Sequence, residues 1–159
     1  MATENKNLSN YNKSTLPDVS QKTFGIVVSE WNEDITENLF KGAFDTLIDC
    51  GVDKENIIRC NVPGSFELIY GASKMMQNYP FLDGIITIGC VIQGETKHFD
   101  FVCEGVTQGI KDLNLLAQMP VIFCVLTDNT LQQSLDRSGG KHGNKGVEAA
   151  VAAIKMSAL

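Results

Sequence analysis

The residues best suited to chemistry lie in one turn, at 94–98 (GETKH), between an apolar run and an amphipathic stretch. With the residues before it, segment 89–96 has the spacing of a nucleotide-binding P-loop, but Glu95 stands where that motif requires lysine. This substitution argues against nucleoside triphosphates as ligands. Free backbone N–H groups and the Thr96 hydroxyl at a helix N-terminus still suit a single phosphate. A tight turn at Gly94 with an N-cap at Thr96 is the alternative interpretation of the motif taken alone.

His98 lies two residues beyond Thr96, in the first turn of the predicted helix, where the positive end of the helix dipole favours neutral imidazole. A neutral imidazole can accept a proton, which suits general acid–base catalysis. The chain has 2 histidines, and neither forms a metal-ligand pair with a nearby cysteine or histidine. We therefore favour acid–base work over zinc binding for His98. An ordinary surface histidine is the alternative.

Residues 137–146 (RSGGKHGNKG) are basic and rich in glycine, and they precede the last predicted helix. This composition predicts a flexible loop in which Arg137 suits bidentate binding of a phosphate. Arg137 could thus supply the cation that the turn at 94–98 lacks. The alternative is a solvated turn between two helices, and His142 in this segment has no evident role.

Two further segments join aromatic rings to polar groups. Residues 62–67 (VPGSFE) place a ring and a carboxylate beside the unpaired N–H groups of a helix start. Trp31, the only tryptophan, follows an apolar run and precedes Asn32, and an indole at a loop tip suits a flat ligand better than a core. Phe123, by contrast, also fits a core position. These segments predict a site for a flat, polar small molecule.

The composition narrows the class of protein. A chain of 159 residues with 43% apolar residues can bury one core of ordinary size, and apolar runs such as 121–126 are too short to cross a bilayer. The 13 basic and 19 acidic side chains give a formal net charge of -6, which disfavours nucleic acid as a partner. The 5 cysteines lack CxxC spacing, so we expect reduced thiols and a cytoplasmic location.

The order of the elements follows from the pattern along the chain. Residues 1–20 are polar and lack the apolar stretch of a signal peptide, which predicts a disordered tail before a single domain at 21–159. A capping box at 34–37 opens a helix in which apolar residues recur every fourth position until Gly51. The predicted strands are 23–29, 56–62, 84–92 and 121–126. The other predicted helices are 65–78, 98–117, 130–137 and 146–157.

Strands that alternate with helices pair in parallel through right-handed crossovers. We therefore predict an α/β three-layer sandwich, with a four-stranded parallel sheet between helices and flavodoxin-like winding. In such sheets ligands bind beyond the carboxyl ends of the strands. The loops at 29–34, 62–67, 93–98 and 127–129 should converge there.

Four motifs, in this order and spacing, resemble those of the lumazine synthase family over residues 23–159. They are WNEDIT at 31–36, VPGSFEL at 62–68, GCVIQGETKHFD at 89–100 and the basic loop at 137–146. Any one of them is weak evidence, but the set is specific. Three positions depart from the usual pattern: Trp31 replaces a more frequent phenylalanine, Cys90 replaces an alanine, and Ile69 replaces a proline.

The resemblance implies condensation of 5-amino-6-(D-ribitylamino)uracil with 3,4-dihydroxy-2-butanone 4-phosphate to 6,7-dimethyl-8-ribityllumazine, without metal or organic cofactor. It implies that the pyrimidine and its ribityl chain contact Trp31, Asn32, Ser65, Phe66, Glu67, Cys90, Val91, Ile92 and, from a neighbouring subunit, Phe123. The phosphate site falls on Glu95, Thr96 and Arg137. Proton transfer falls on His98, and supporting charges fall on Lys145 and Glu148.

The resemblance also implies a homopentamer with active sites between adjacent subunits. The compact turn at 139–144 is similar to that of members that build an icosahedral shell of pentamers, and association with riboflavin synthase is a further implication. Two other classes of protein are alternatives. A receiver or flavin-binding module would share the fold, but 29–31 (SEW) and 92–94 (IQG) lack the acidic residues that a receiver needs. An idle shell or flavin-storage protein is disfavoured by the intact His98 and Arg137.

Overall fold

The computed structural model describes residues 7–159, and its centre is a sheet of four parallel strands in the order β2-β1-β3-β4. The strands are β1 (Phe24–Ser29), β2 (Ile57–Val62), β3 (Gly84–Ile92) and β4 (Val121–Asp128). The helices are α1 (Glu33–Asp49), α2 (Leu68–Asn78), α3 (His98–Leu116), α4 (Leu131–Arg137) and α5 (Lys145–Met156). This confirms the predicted α/β sandwich and its winding.

Helices cover both faces of the sheet, which explains why its central strands lack any polar alternation. Every residue of β1 is buried, as expected for a strand between two helical layers. On one face, α1 and α5 pack on residues such as Ile26 and Ile86; on the other, α2 and α3 pack on residues such as Val27 and Ile85. The sheet thus divides the core into two apolar clusters.

Helix α1 shows how local sequence sets the bounds of an element. Its buried residues include the predicted series with four-residue spacing. The helix is terminated by Gly51, whose φ of 101° is a left-handed conformation that glycine adopts without strain. Gly51 N–H donates to the Ile48 carbonyl at 2.9 Å, and Val52 N–H donates to the Leu47 carbonyl at 3.0 Å. This pair of bonds is a Schellman motif, so the predicted stop is confirmed.

The polar N-terminal segment differs from its prediction. Residues 1–6 of the expected tail lie outside the described residues, whereas residues 7–20 lie against the domain. Leu8 N–H donates to the His142 carbonyl at 2.8 Å, the Tyr11 hydroxyl donates to Asp49 at 2.8 Å, and Val19 is buried in the core. Disorder is therefore corrected for residues 7–20, because a few anchors hold a segment whose average composition is polar.

The basic loop is also more ordered than its glycine content suggests. Residues Ser138–Gly140 (β5) and Gly143–Asn144 (β6) pair as a short antiparallel ribbon. Asn144 ends the ribbon and caps α5, because its Oδ1 accepts from Gly146 N–H at 2.8 Å. The expected flexible loop is corrected to a hairpin that joins α4 to α5. Within residues 7–159, no helix combines the length and apolar character needed to cross a bilayer.

Candidate active site

A cleft with a volume of about 1020 Å³ lies where the sequence predicts it, at the carboxyl edge of the sheet. Its walls are the loops after β1, β2 and β3 and the first turns of α3. Of the residues predicted to bind substrate or to catalyse, the structure brings the following together in this cleft: Trp31, Asn32, Ser65, Phe66, Glu67, Cys90, Val91, Ile92, Thr96 and His98.

Asn32 fixes the first loop through an unusual backbone conformation. It has φ 60° and ψ 49°, and it is the one non-glycine residue with positive φ in the described chain. Its Nδ2 donates to the Cys90 carbonyl at 3.0 Å, which ties the end of β1 to the end of β3. Helix α1 consequently begins at Glu33, so the predicted capping box is corrected. The neighbouring Trp31 is held by a hydrogen bond from its backbone N–H to the Pro63 carbonyl (3.2 Å), and the residue is 71% exposed.

Two substitutions of Asn32 should separate two contributions to stability, that of its left-handed backbone and that of the hydrogen bond from its side-chain amide. Asn32→Ala loses both the bond and a residue tolerant of left-handed backbone, so we expect its free energy of unfolding to fall by about 2 kcal/mol. Asn32→Gly loses only the bond, and a fall of about 1 kcal/mol is expected. Urea unfolding of the two variants measures the difference. Equal losses would show that the left-handed backbone carries no cost here.

The second loop supplies a ring, a hydroxyl and a carboxylate. Helix α2 begins at Leu68 rather than at 65 as predicted, so Ser65, Phe66 and Glu67 lie in irregular turns facing the cleft. The Phe66 ring occupies space over α3, since a Cβ on Gly105 would lie 2.6 Å from it. Ser65 Oγ is buried and has no hydrogen-bond partner. A buried hydroxyl without a partner is costly, and a polar ligand would satisfy it.

Cys90 lies on the floor of the cleft as a neutral thiol. It is buried, and its Sγ lies 3.4 Å from Ser134 Oγ. Burial raises the pKa of Cys90 to about 11, against a smaller lowering by the bond to Ser134. A thiol with this pKa is not an effective nucleophile near neutral pH. The residue therefore shapes the floor rather than attacking a substrate.

The turn after β3 carries the remaining polar groups. Gln93 N–H donates to the Asp128 carbonyl at 2.9 Å, which anchors the turn to the end of β4. Thr96 Oγ1 accepts from His98 N–H at 3.3 Å, and α3 begins at His98 with Lys97 as its cap residue. The Thr96 hydroxyl therefore lies just before the helix start and not at the cap position. His98 is exposed at the cleft mouth, where its ring is free to meet a substrate.

Five predicted residues do not line the cleft of a single chain. Glu95 is exposed in the turn beside it. Phe123 lies on the edge strand β4 with its ring 37% exposed, and Arg137 ends α4, where its Nη1 donates to the Gln133 carbonyl at 2.9 Å. Lys145 and Glu148 form an ion pair of 2.9 Å on α5, on the α1 side of the sheet.

The sequence reasoning missed four apolar residues of the cleft. They are Phe99, Phe101, Val102 and Leu131. Phe101 and Val102 follow His98 by three and four residues in α3 and so share its face of the helix, whereas Phe99 directly follows His98 and does not. That spacing was the signal that could have found Phe101 and Val102. Leu131 begins α4, and only the folded chain shows that it reaches the cleft.

Fold and site together define an α/β enzyme of the kind that binds small molecules across the carboxyl edge of a parallel sheet. The family model described as 6,7-dimethyl-8-ribityllumazine synthase matches residues 21–159. The chain therefore belongs to the 6,7-dimethyl-8-ribityllumazine synthase family, which confirms the resemblance of the four motifs.

Curated relatives of that description are similar over almost the whole chain. The relative from Christiangramia forsetii is 69% identical over 159 residues, which are 100% of this chain and 95% of the relative. That from Flavobacterium johnsoniae is 71% identical over 157 residues, 99% of this chain and 82% of the relative. That from Parabacteroides distasonis is 55% identical over 156 residues, 98% of this chain and 97% of the relative.

Proposed function

We propose that this cleft is where the chain carries out the reaction of its family. It condenses 5-amino-6-(D-ribitylamino)uracil with 3,4-dihydroxy-2-butanone 4-phosphate to 6,7-dimethyl-8-ribityllumazine, with release of phosphate and water, in the penultimate step of riboflavin biosynthesis. The observation that carries the proposal is the meeting of the exposed Trp31 ring and His98 in one cleft. A stacking surface and a proton carrier are what a condensation of a flat amine with a carbonyl requires.

The pyrimidine and its ribityl chain are assigned to the inner part of the cleft. Trp31 and Phe66 supply ring faces, while Glu67 and the unpartnered Ser65 hydroxyl supply polar contacts. The strand end Cys90, Val91 and Ile92 contributes chiefly backbone groups, because Cys90 is a neutral thiol and its two neighbours are apolar. Asn32 keeps this strand end and the Trp31 loop in a fixed relation.

The phosphate of the second substrate is assigned to Glu95 and Thr96 together with Arg137 of an adjoining subunit. In one chain Arg137 and Phe123 lie outside the cleft, on surfaces that another copy of the chain can reach. A guanidinium from a neighbour supplies the cation that the turn lacks, in the fork geometry that suits phosphate. Lys145 and Glu148 are assigned a supporting role as an ion pair on α5.

The chemistry needs orientation, proton transfer and one fixed cation. The amine attacks the carbonyl, a first water leaves to give an imine, phosphate leaves by elimination, and the ring then closes with loss of a second water. His98 moves protons in these steps, and Arg137 stabilises the phosphate as its negative charge grows on leaving.

His98→Ala should lower kcat by about one to two orders of magnitude and leave both KM values within about twofold, because the rest of the pocket still orients the substrates. Steady-state kinetics measures the change. His142→Ala is the matched control, since it removes the other histidine, which lies in the hairpin turn away from the cleft, and full activity is expected. Unchanged kcat in His98→Ala would remove this residue from the mechanism.

The assembly proposed is a homopentamer, with pentamers forming an icosahedral shell in the cytoplasm. Large exposed apolar side chains such as Tyr70, Phe81, Phe101 and Leu116 support burial against further copies. The five cysteines are all free, which supports a reducing compartment. Riboflavin synthase is the proposed partner enzyme. Analytical ultracentrifugation tests the assembly: a lone pentamer would exclude the shell, and an active monomer would exclude a site shared between subunits.

The activity is tested by mixing the purified chain with the two substrates and following the fluorescence of the lumazine. We expect acceleration above the slow uncatalysed reaction, with phosphate released in equal amount. No acceleration would overturn the enzyme assignment. Tight binding of riboflavin without acceleration would instead support a flavin-storage protein on the same scaffold.

A further inference from the structure

The side chain of Asp128 has no role in the proposed mechanism. Asp128 is the last residue of β4 and is 8% exposed. Its Oδ2 accepts from the Ser134 hydroxyl at 2.8 Å, and that hydroxyl oxygen accepts in turn from the Cys90 thiol at 3.4 Å. Two neutral donors in series, the Cys90 thiol and the Ser134 hydroxyl, therefore orient the carboxylate. Such a series fixes the direction of a buried carboxylate.

The other carboxylate oxygen faces Arg137. Asp128 Oδ1 lies 3.9 Å from Arg137 Nη1, and the same Nη1 donates to the Gln133 carbonyl at 2.9 Å. One hydrogen bond and the charge of the nearby carboxylate thus act together on Nη1. The Nε and Nη2 edge is left for a ligand, and this is the edge that grips a phosphate with two parallel bonds.

We propose that Asp128 is a positioning residue for Arg137, holding the guanidinium in the orientation in which it grips the substrate phosphate. The inference rests on the proposed assignment of Arg137 to the butanone phosphate. The backbone carbonyl of Asp128 also accepts a hydrogen bond from Gln93 N–H, at the start of the turn that carries Glu95 and Thr96. One residue therefore fixes a phosphate-binding part of its own cleft and the arginine offered to the adjoining one.

A role for Asp128 as a charge and a role in positioning predict opposite changes in the KM for the phosphate substrate when the carboxylate is removed. If Asp128 acted only as a negative charge near an anionic substrate, Asp128→Asn would lower the KM for the phosphate substrate. If it positions Arg137, the same change raises that KM. The carboxylate and the phosphate do not compete for one edge, because the Asp128 contact lies at Nη1.

The experiment compares Asp128→Asn with Asp136→Asn in the assembled enzyme. Asp136 precedes Arg137 on the same helix, and its carboxylate accepts from Gln132 at 2.9 Å, so its replacement removes an equal charge without touching the guanidinium. We expect Asp128→Asn to raise the KM for the butanone phosphate about fivefold, the size of a partly exposed ion pair. Its kcat and the KM for the pyrimidine should stay within about twofold, and Asp136→Asn should leave all three unchanged.

A second variant and a second readout keep the test decisive. Ser134→Ala removes the donor that orients Asp128, and a smaller rise in the same KM is expected even if Asp128→Asn does not fold. Isothermal titration with inorganic phosphate should show the same order of affinities: wild type and Asp136→Asn above Ser134→Ala, above Asp128→Asn. An unchanged or lowered KM and phosphate Kd in both Asp128→Asn and Ser134→Ala would overturn the inference. If the four proteins bind phosphate in this order but the wild type shows no turnover, the proposed function is overturned and the inference about Asp128 stands.

Discussion

Replacing Arg137 with alanine is expected to raise the KM for 3,4-dihydroxy-2-butanone 4-phosphate by about tenfold to a hundredfold. The change removes charge-assisted hydrogen bonds, which contribute about 1.5 to 3 kcal/mol, and each 1.4 kcal/mol is a factor of about ten. The KM for the pyrimidine should remain within about twofold, because that substrate is assigned to the Trp31 side of the cleft. Initial rates measured while each substrate is varied separately give both constants.

Two companion variants show whether the fork of the guanidinium matters or only its charge. Arg137→Lys keeps the charge but not the two parallel N–H donors, so an intermediate KM is expected. Lys141→Ala removes a cation from the nearby β5–β6 hairpin turn, where it is exposed, and should leave both KM values unchanged. Equal rises in the two KM values of Arg137→Ala would contradict the assignment of this residue to the phosphate.

Gly146→Ala is expected to destabilise the fold by about 3 kcal/mol or more, which lowers the midpoint of thermal unfolding by about 10 °C for a domain of this size. An added Cβ would lie 1.9 Å from the Leu39 carbonyl oxygen, on the backbone of α1. Helices α1 and α5 must then separate, and the core between them opens. In an isolated helix the same change would stabilise by about 1 kcal/mol, so the close approach reverses the expected sign.

The control for this prediction is Gly94→Ala in the turn after β3. No atom lies within 4 Å of the Cβ position at Gly94, so its thermal midpoint should stay within about 2 °C of the wild type. Calorimetry of the two variants under one buffer condition gives the comparison. If Gly146→Ala unfolded at the wild-type temperature, α5 could not lie as close to α1 as described.

The regular part of this fold follows from short-range patterns in the sequence. Strand β3 begins and ends at the predicted residues, because it is buried on both faces and its apolar run has no interruption. The end of α1 could also be predicted, since Gly51 meets the backbone requirement of a Schellman motif. Boundaries that depend on pairing between strands shifted. Strand β4 extends to Asp128, where its pairing with Ile92 continues two residues beyond the predicted end.

The rest depends on contacts between distant parts of the chain. The left-handed Asn32 is held by the Cys90 carbonyl, 58 positions away, and no local pattern reveals that bond. The hairpin at 138–144 is fixed by Asn144, whose amide also donates to the Asn38 carbonyl of α1 at 2.8 Å. Averaged composition described both the N-terminal segment and this hairpin as mobile, because an average gives little weight to single anchoring residues.

The candidate site divides in the same way. Residues at strand ends could be assigned from topology, since the carboxyl ends of parallel strands meet at one edge. Phe123 and Arg137 could not be placed by topology, because in one chain they do not line the cleft. Their proposed role depends on a second copy of the chain. Only the resemblance to the family indicates where that copy lies.

The N-terminal segment described above bears on the order in which the molecule is made. Ser9 Oγ accepts from Asn144 N–H, a contact between residues 135 positions apart. The ribosome releases Ser9 well before Asn144, its partner in the hairpin. The alternating strands and helices up to β4 can pair with near neighbours as they appear, whereas the Ser9 contact waits for the β5–β6 hairpin. The contacts of Leu8 and Ser9 with the hairpin therefore form late, whereas the contact of Tyr11 with Asp49 can form once α1 is complete.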